Sequence, residues 1–258
     1  LKDGLWEYNV DQLAIINYEA ILDMFKQEVE ESMDGYLTAD IARYGSDKVT
    51  IGTWRGLNLY DIQEYGKQSL VKTENRIREV LFKERIPFKR AVVDEDGMGG
   101  GIVDHLEGIQ GFMGNRSAIL RPTDEVEAEY VNVPANYLKR QNYRNLRSQC
   151  HFLLAQKINN HEVSITAPIS EKMKEMIIEE LRHVKRLDTN ADEPLKIAPK
   201  EDVKEAIGRS PDYSDMMVMR MYFILLKEVR KPEYNPVNEE KLRELGVHSP
   251  YGGIPFDL

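Results

Sequence analysis

The sequence predicts an α/β domain: a mixed sheet with helices on both faces. Three observations predict it. A meander of three short strand-like runs, broken at Gly45-Ser46 and Arg55-Gly56, fills residues 34–68. Helical and strand-like apolar segments then alternate as far as residue 120. A long helix, apolar nearly all round, spans 211–228. A meander followed by alternating units joins antiparallel to parallel strands, and its crossovers cover both faces.

Bulk properties narrow the class. With 258 residues the chain is long enough for one large domain with a real core. No apolar run approaches the length of a membrane span, and no signal-peptide pattern opens the chain. The single cysteine, Cys150, rules out an internal disulfide and fits a reducing compartment. The five histidines are scattered, which argues against structural zinc. The net charge of −9 argues against a general nucleic-acid footprint, so the basic residues must be local if DNA is the partner. The chain opens on Leu1, as expected of a fragment cut from a longer polypeptide at a domain boundary.

The elements follow in order. Residues 1–33 carry a rough helical stripe (Val10, Leu13, Ile16, Leu22 to Phe25) and read as a linker or helical extension. The main domain is expected over 34–228. Its first strand, Gly35 to Ala42, sets Leu37, Ala39 and Ile41 on one face and Tyr36, Thr38 and Asp40 on the other. Val49 to Trp54 and Leu57 to Tyr65 complete the meander. Residues 70–85 make an amphipathic helix, Arg90 to Asp94 a buried strand, 102–109 a short helix and Ser117 to Leu120 a further strand. Residues 140–158 form another helix. The region 176–207 reads as a helix passing into a hairpin about the polar turn Asp188 to Glu193. Residues 229–258, with four prolines and two adjacent glycines, form a tail.

Three short acidic motifs carry the chemistry. Asp40 lies mid-to-late in an otherwise apolar strand, where a carboxylate is costly unless paired, ligated or at a sheet surface. On its own, a solvent-facing strand residue explains it better. Asp94, Glu95 and Asp96 follow Ala91-Val92-Val93 and precede a glycine-rich turn, Gly97 to Gly101. Active sites commonly lie at such carboxyl ends of strands. The bland reading makes Asp96 a helix cap, and the spacing matches neither the dinucleotide nor the P-loop fingerprint. Ser210-Pro211-Asp212 is a helix start, with Ser as N-cap and Pro at the first helical position. That explains Asp212 but not Asp215, which shares its helix face and adjoins a buried apolar run. Carboxylates brought together repel unless a cation neutralises them, which points to divalent metal over a phosphodiester.

Cations concentrate in two places. Lys139, Arg140, Arg144 and Arg147 open one helix, and there a solvated face is as good an explanation as phosphate contact. Lys200, Lys204 and Arg209 adjoin the Asp212 motif and are the favoured contacts to the DNA backbone.

Taken together, these residues resemble a known family. The runs Ala-Asp-Ile-Ala-Arg-Tyr-Gly-Ser-Asp, Val-Val-Asp-Glu-Asp-Gly-Met-Gly-Gly-Gly and Lys-Glu-Asp-Val-Lys-Glu-Ala-Ile-Gly-Arg-Ser-Pro-Asp-Tyr-Ser-Asp, in this order over about 34–228, look like the nuclease domain of tailed-phage large terminases. The resemblance implies a ribonuclease H-like fold. It implies an endonuclease that cuts concatemeric viral DNA at packaging, in the cytoplasm of the bacterial host. It implies two Mg²⁺ or Mn²⁺ ions held by Asp40, Asp94 and Asp215, with Asp212 as a further ligand and Asp96 as a possible auxiliary. Its implied partners are double-stranded DNA, a terminase small subunit, a portal and an ATPase motor. The present sequence has no Walker A motif, so the motor would lie on another part of the polypeptide. Junction resolvases share the fold and are the alternative enzyme. A non-catalytic packaging module, with the glycine turn holding phosphate, is the alternative outside enzymes.

Overall fold

The computed structural model describes residues 13–30, 32–41, 48–66, 68–119, 143–187 and 193–229. Its centre is a six-stranded sheet in the order β5-β4-β1-β2-β3-β6. The meander is β1 (Gly35–Asp40), β2 (Val49–Arg55) and β3 (Asn58–Tyr65), paired antiparallel. β4 (Ala91–Asp94) runs parallel to β1, and β5 (Gln110–Phe112) parallel to β4. β6 (Ser164–Ile165) adds a short parallel edge beside β3. The expected mixed sheet is therefore present. The expected strand at 117–120 is not: residues 117–119 form none, and the chain pairs earlier, at Gln110–Phe112.

Seven helices are described: α1 (Tyr18–Asp23), α2 (Leu70–Lys83), α3 (Gly100–His105), α4 (Leu146–Asn159), α5 (Glu171–Arg182), α6 (Lys200–Ile207) and α7 (Asp212–Val229). Period-two alternation in β1 splits the core. Leu37, Ala39 and Ile41 pack with Ile77, Leu81 and Ile102 from α2 and α3. Tyr36 faces the opposite layer, with Leu154, Met216, Val218 and Phe223 from α4 and α7. Both faces are covered, so every residue of β1 is buried, Asp40 included.

Side-chain acceptors start the helices. Ser69 Oγ, Asn145 Oδ1 and Ser170 Oγ accept from Lys72 N, Ser148 N and Met173 N at the mouths of α2, α4 and α5. The helix expected over 140–158 begins at Leu146, where Asn145 caps it. The helix-to-hairpin region resolves into α5, an antiparallel bridge Arg186↔Ile197 and α6. α6 ends at Gly208, whose φ of 72° is the left-handed C-cap that glycine adopts without strain.

α7 crosses β1, β2 and β4. Gly52 on β2 allows the approach, since a Cβ there would collide with Met216. Arg220 ties the middle of the helix down: its guanidinium lies 3.8 Å from the Tyr36 ring centre and its Nε donates to Gly56 O at 2.9 Å. The stretches 1–12, Asp47, Lys139, Arg140 and the tail beyond Val229 lie outside the described residues. Of the N-terminal extension, 18–23 is helical and Ile16, Ala20, Ile21 and Met24 pack into the α4–α7 layer, so this part joins the domain core. No described helix is long and apolar enough to cross a membrane.

Candidate active site

Parallel register brings the first two motifs together. β1 and β4 pair Leu37 with Ala91 and Ala39 with Val93, so Asp40 and Asp94 stand one step on, side by side at the strand ends. Both side chains take the α7 face, because alternation sends Ala39 and Val93 the other way. The chain leaves Asp94 through a tight turn over Glu95–Gly99. Gly99 is required there: a Cβ would strike the Asp94 carbonyl oxygen. The turn folds back on itself, with Asp96 N donating to Asp94 Oδ1 at 3.1 Å and Gly114 N to Asp96 Oδ2 at 2.9 Å.

The third motif arrives on the first turn of α7, one residue later than the sequence suggests. The helix begins at Asp212, so Pro211 stands just outside it. The acceptor that caps it comes from α5 rather than from Ser210. Glu180, 0% exposed, takes the Ser214 N–H on Oε2 at 2.8 Å and pairs through Oε1 with Arg209. Burial pushes this carboxyl up to about 8, against the opposing pull of Ser214 N and Arg209. Arg209 also reaches Glu179 at 2.8 Å and Met176 O at 3.1 Å. It is a clamp between α5 and the head of α7, which differs from the phosphate contact expected of it.

Asp40, Asp94, Asp96, Asp212 and Asp215 all line one cavity of about 540 Å³. Its other lining includes Asn115, Asn145, Arg147, Lys196 and Lys200. The acids share one field. Asp40, 4% exposed, is held well above the usual carboxylate range, first by burial and then by Asp215, Asp94 and Asp212, with Lys200 opposing. Burial likewise raises Asp94 against the Asp96 N–H and Lys200. Burial would raise Asp215 too, but the ammonium of Lys200 and then the guanidinium of Arg147 outweigh it and hold its pKa low.

Lys200 is the pivot. Its Nζ lies 2.5 Å from Asp215 Oδ2 and 3.9 Å from Asp40 Oδ2. Expected on the sequence as a DNA contact, it sits inside the acidic cluster as its counter-charge. Lys204 lines a smaller neighbouring groove with Lys48, Glu64 and Tyr213. Among the described residues no three His, Cys, Asp or Glu side chains stand close enough to hold an ion as they are placed. The donor set nevertheless suits a hard divalent cation: carboxylate oxygens that gather round one positive charge and repel without it.

One neighbour was not singled out from the sequence. His151 on α4 is buried, and its Nδ1–H donates to Arg147 O at 2.8 Å. Burial and then Arg147 lower its pKa to about 3, so the ring is neutral beneath the Asp215–Lys200 pair. Only an apolar environment distinguishes it in sequence, and that marks many core histidines.

No protein-family model matches the sequence, and no curated protein is similar to it. Solved structures with a similar fold are known. The nuclease domain of the large terminase subunit gp2 of bacterial virus Sf6 superposes with a TM-score of 0.63 at 20% identity, covering 81% of this chain and 98% of that one. A lysine-to-alanine variant of that domain with calcium gives 0.62 at 20% identity, and the variant with manganese gives 0.61 at 19%; both cover 81% of this chain and 99% of theirs. The likeness establishes a ribonuclease H-like fold and bears out, at the level of fold, the resemblance read from the three motifs.

Proposed function

We propose that the chain is a divalent-metal-dependent endodeoxyribonuclease of the kind that cuts concatemeric viral DNA during genome packaging in a bacterial host. The observation that supports it most is the burial of mutually repelling carboxylates from β1, β4 and α7 round a single ammonium at the strand ends. The fold, shared with terminase nuclease domains of which one has been seen with manganese, agrees with it.

Asp40, Asp94 and Asp215 would hold two Mg²⁺ or Mn²⁺ ions, with Asp212 as a further ligand. Asp96, whose Oδ2 is engaged by Gly114 N, would orient the β4 turn and leave direct ligation to the others. Bound there, the ions would supply an activated water and stabilise the leaving oxygen. The protein's part is to keep Asp40 and Asp94 in register and to fix α7 through Glu180. Burial also makes His151 a poor proton acceptor, so it is not the base for the attacking water. Double-stranded DNA is the substrate, and an ATPase motor elsewhere in the polypeptide, a small subunit and a portal complete the packaging setting.

Asp40→Asn tests the reading. Because its folded pKa is raised, charged Asp40 costs stability as the pH rises above the ordinary carboxyl range. The metal-free variant should therefore melt at or above the parent at pH 7–8. It should lose both Mn²⁺-dependent cleavage of linear duplex DNA and the Mn²⁺-dependent rise in melting temperature. Cleavage by the variant at the parent's rate would overturn the assignment.

A further inference from the structure

We propose that the cavity wall facing the carboxylates is the surface that grips the DNA backbone, and that it, rather than the Lys200–Arg209 stretch, sets the strength and salt dependence of DNA binding. The inference rests on the nuclease reading above. Three stretches distant in sequence build this wall. Arg144 N donates to Leu195 O at 2.9 Å, Leu146 N to Arg116 O at 2.8 Å and Arg147 N to Gly114 O at 2.9 Å. Tyr143 and Leu195 add a parallel bridge. Backbone bonds thus fasten the 113–116 turn, the start of α4 and the 194–198 stretch into one piece. Asn115, Asn145, Arg147 and Lys196 from it line the cavity.

Its charge is opposite in sign to that of the chain as a whole. Over residues 113–119, 143–147 and 193–198, Arg116, Arg144, Arg147 and Lys196 stand against one carboxylate, Glu193. Among the described residues none of these four cations is ion-paired, whereas Arg55, Arg76, Arg78, Arg90 and Arg209 each hold a carboxylate. In a chain of net charge −9, cations with no ion pair among the described residues on one wall, opposite carboxylates on the other, set two fields of opposite sign in one cavity. A polyanion cut at one phosphate fits both: the cut phosphate lies over the carboxylates and their cations, and flanking phosphates reach the basic wall. Arg147 stands at the junction, donating to Ala198 O at 2.9 Å and acting electrostatically on Asp215. Arg144 and Lys196 are exposed farther out, so they can be altered without disturbing the carboxylates.

The experiment compares the parent, an Arg144→Ala/Lys196→Ala double variant, Lys204→Ala and, as a distant control on α2, Arg76→Ala. Binding of duplex DNA of two unrelated sequences is measured with Ca²⁺ over a salt series, and steady-state cleavage with Mn²⁺. The double variant should bind both duplexes about tenfold or more weakly. Its slope of log K against log salt should flatten by about 1–2, with KM raised and kcat within about twofold. Lys204→Ala and Arg76→Ala should track the parent. Lys196→Gln alone, should the double variant fold poorly, should flatten the slope by about half as much. Unchanged affinity and slope in a parent that still cuts DNA would overturn this surface and leave the nuclease reading standing. A parent that neither binds nor cuts duplex DNA would overturn both.

Discussion

Replacing Lys200 with alanine separates the two kinds of cation the cluster can accept, its own ammonium and a divalent ion. The ammonium sits 2.5 Å from Asp215 and 3.9 Å from Asp40. At an effective dielectric constant of ~20, a unit pair 4 Å apart attracts by about 4 kcal/mol before the desolvation cost is subtracted. The lysine side chain is 36% exposed, so solvent screening reduces that figure. A charge-assisted hydrogen bond to a carboxylate nets about 1.5–3 kcal/mol. Metal-free Lys200→Ala should therefore lose about 2 kcal/mol at pH 7, a fall of roughly 4–8 °C in melting temperature for a domain of this size. A ligand at ~100 times its Kd gives back about 2.7 kcal/mol. The parent must displace its ammonium first, so Mn²⁺ should raise the melting temperature of the variant by more than that of the parent. Paired melts in EDTA and in Mn²⁺, read by scanning calorimetry, check this. Equal melting of the two proteins in EDTA, or a smaller Mn²⁺ response in the variant, would refute the view that lysine and metal compete for one place.

Three further outcomes are expected. Arg209→Ala takes the partner from the buried Glu180 carboxyl and should cost about 1–3 kcal/mol in chemical denaturation, while the salt slope of DNA binding stays at the parent's value. His151 has a folded pKa well below its unfolded one, so it destabilises the fold as pH falls from about 6.5 toward 3. His151→Gln should flatten the acid limb of a stability–pH curve by up to ~1.4 kcal/mol per pH unit. Gly99→Ala forces the β4 turn off the Asp94 carbonyl and should cost about 1–3 kcal/mol, with weaker Mn²⁺ binding by calorimetric titration.

The sequence exposed those features that depend on short-range pattern. Alternation along Tyr36 to Asp40 placed the acid on the face that α7 covers, and the glycines after Asp94 marked a turn too tight for side chains. The parallel pairing that sets Asp40 beside Asp94 follows from crossover topology, which the alternation of helix and strand after the meander implied. What stayed hidden depends on long-range contact. Lys200 and Arg209 read as contacts to the DNA backbone because their carboxylate partners, Asp215 on α7 and Glu180 on α5, meet them only after folding. Ser210 looked like the cap of α7, but a buried glutamate from another helix outcompetes it. The basic wall draws on three segments, so no single window of sequence contains it. β6 is two residues long and carries no periodic signal at all.

α7 has one more consequence, for the timing of synthesis. It supplies Asp212 and Asp215 and also seals the core across β1, β2 and β4. Asp40 is made early and Asp215 near the end of the described chain. At ~5–20 residues per second, on the order of ten seconds or more of translation separates them. Until α7 is made, the chain has neither the helix that closes its interior nor all the carboxylates assigned to the site above. Among the described helices α7 comes last in sequence and finishes both together, so a product that stops short of it lacks two of the carboxylates assigned to the site above.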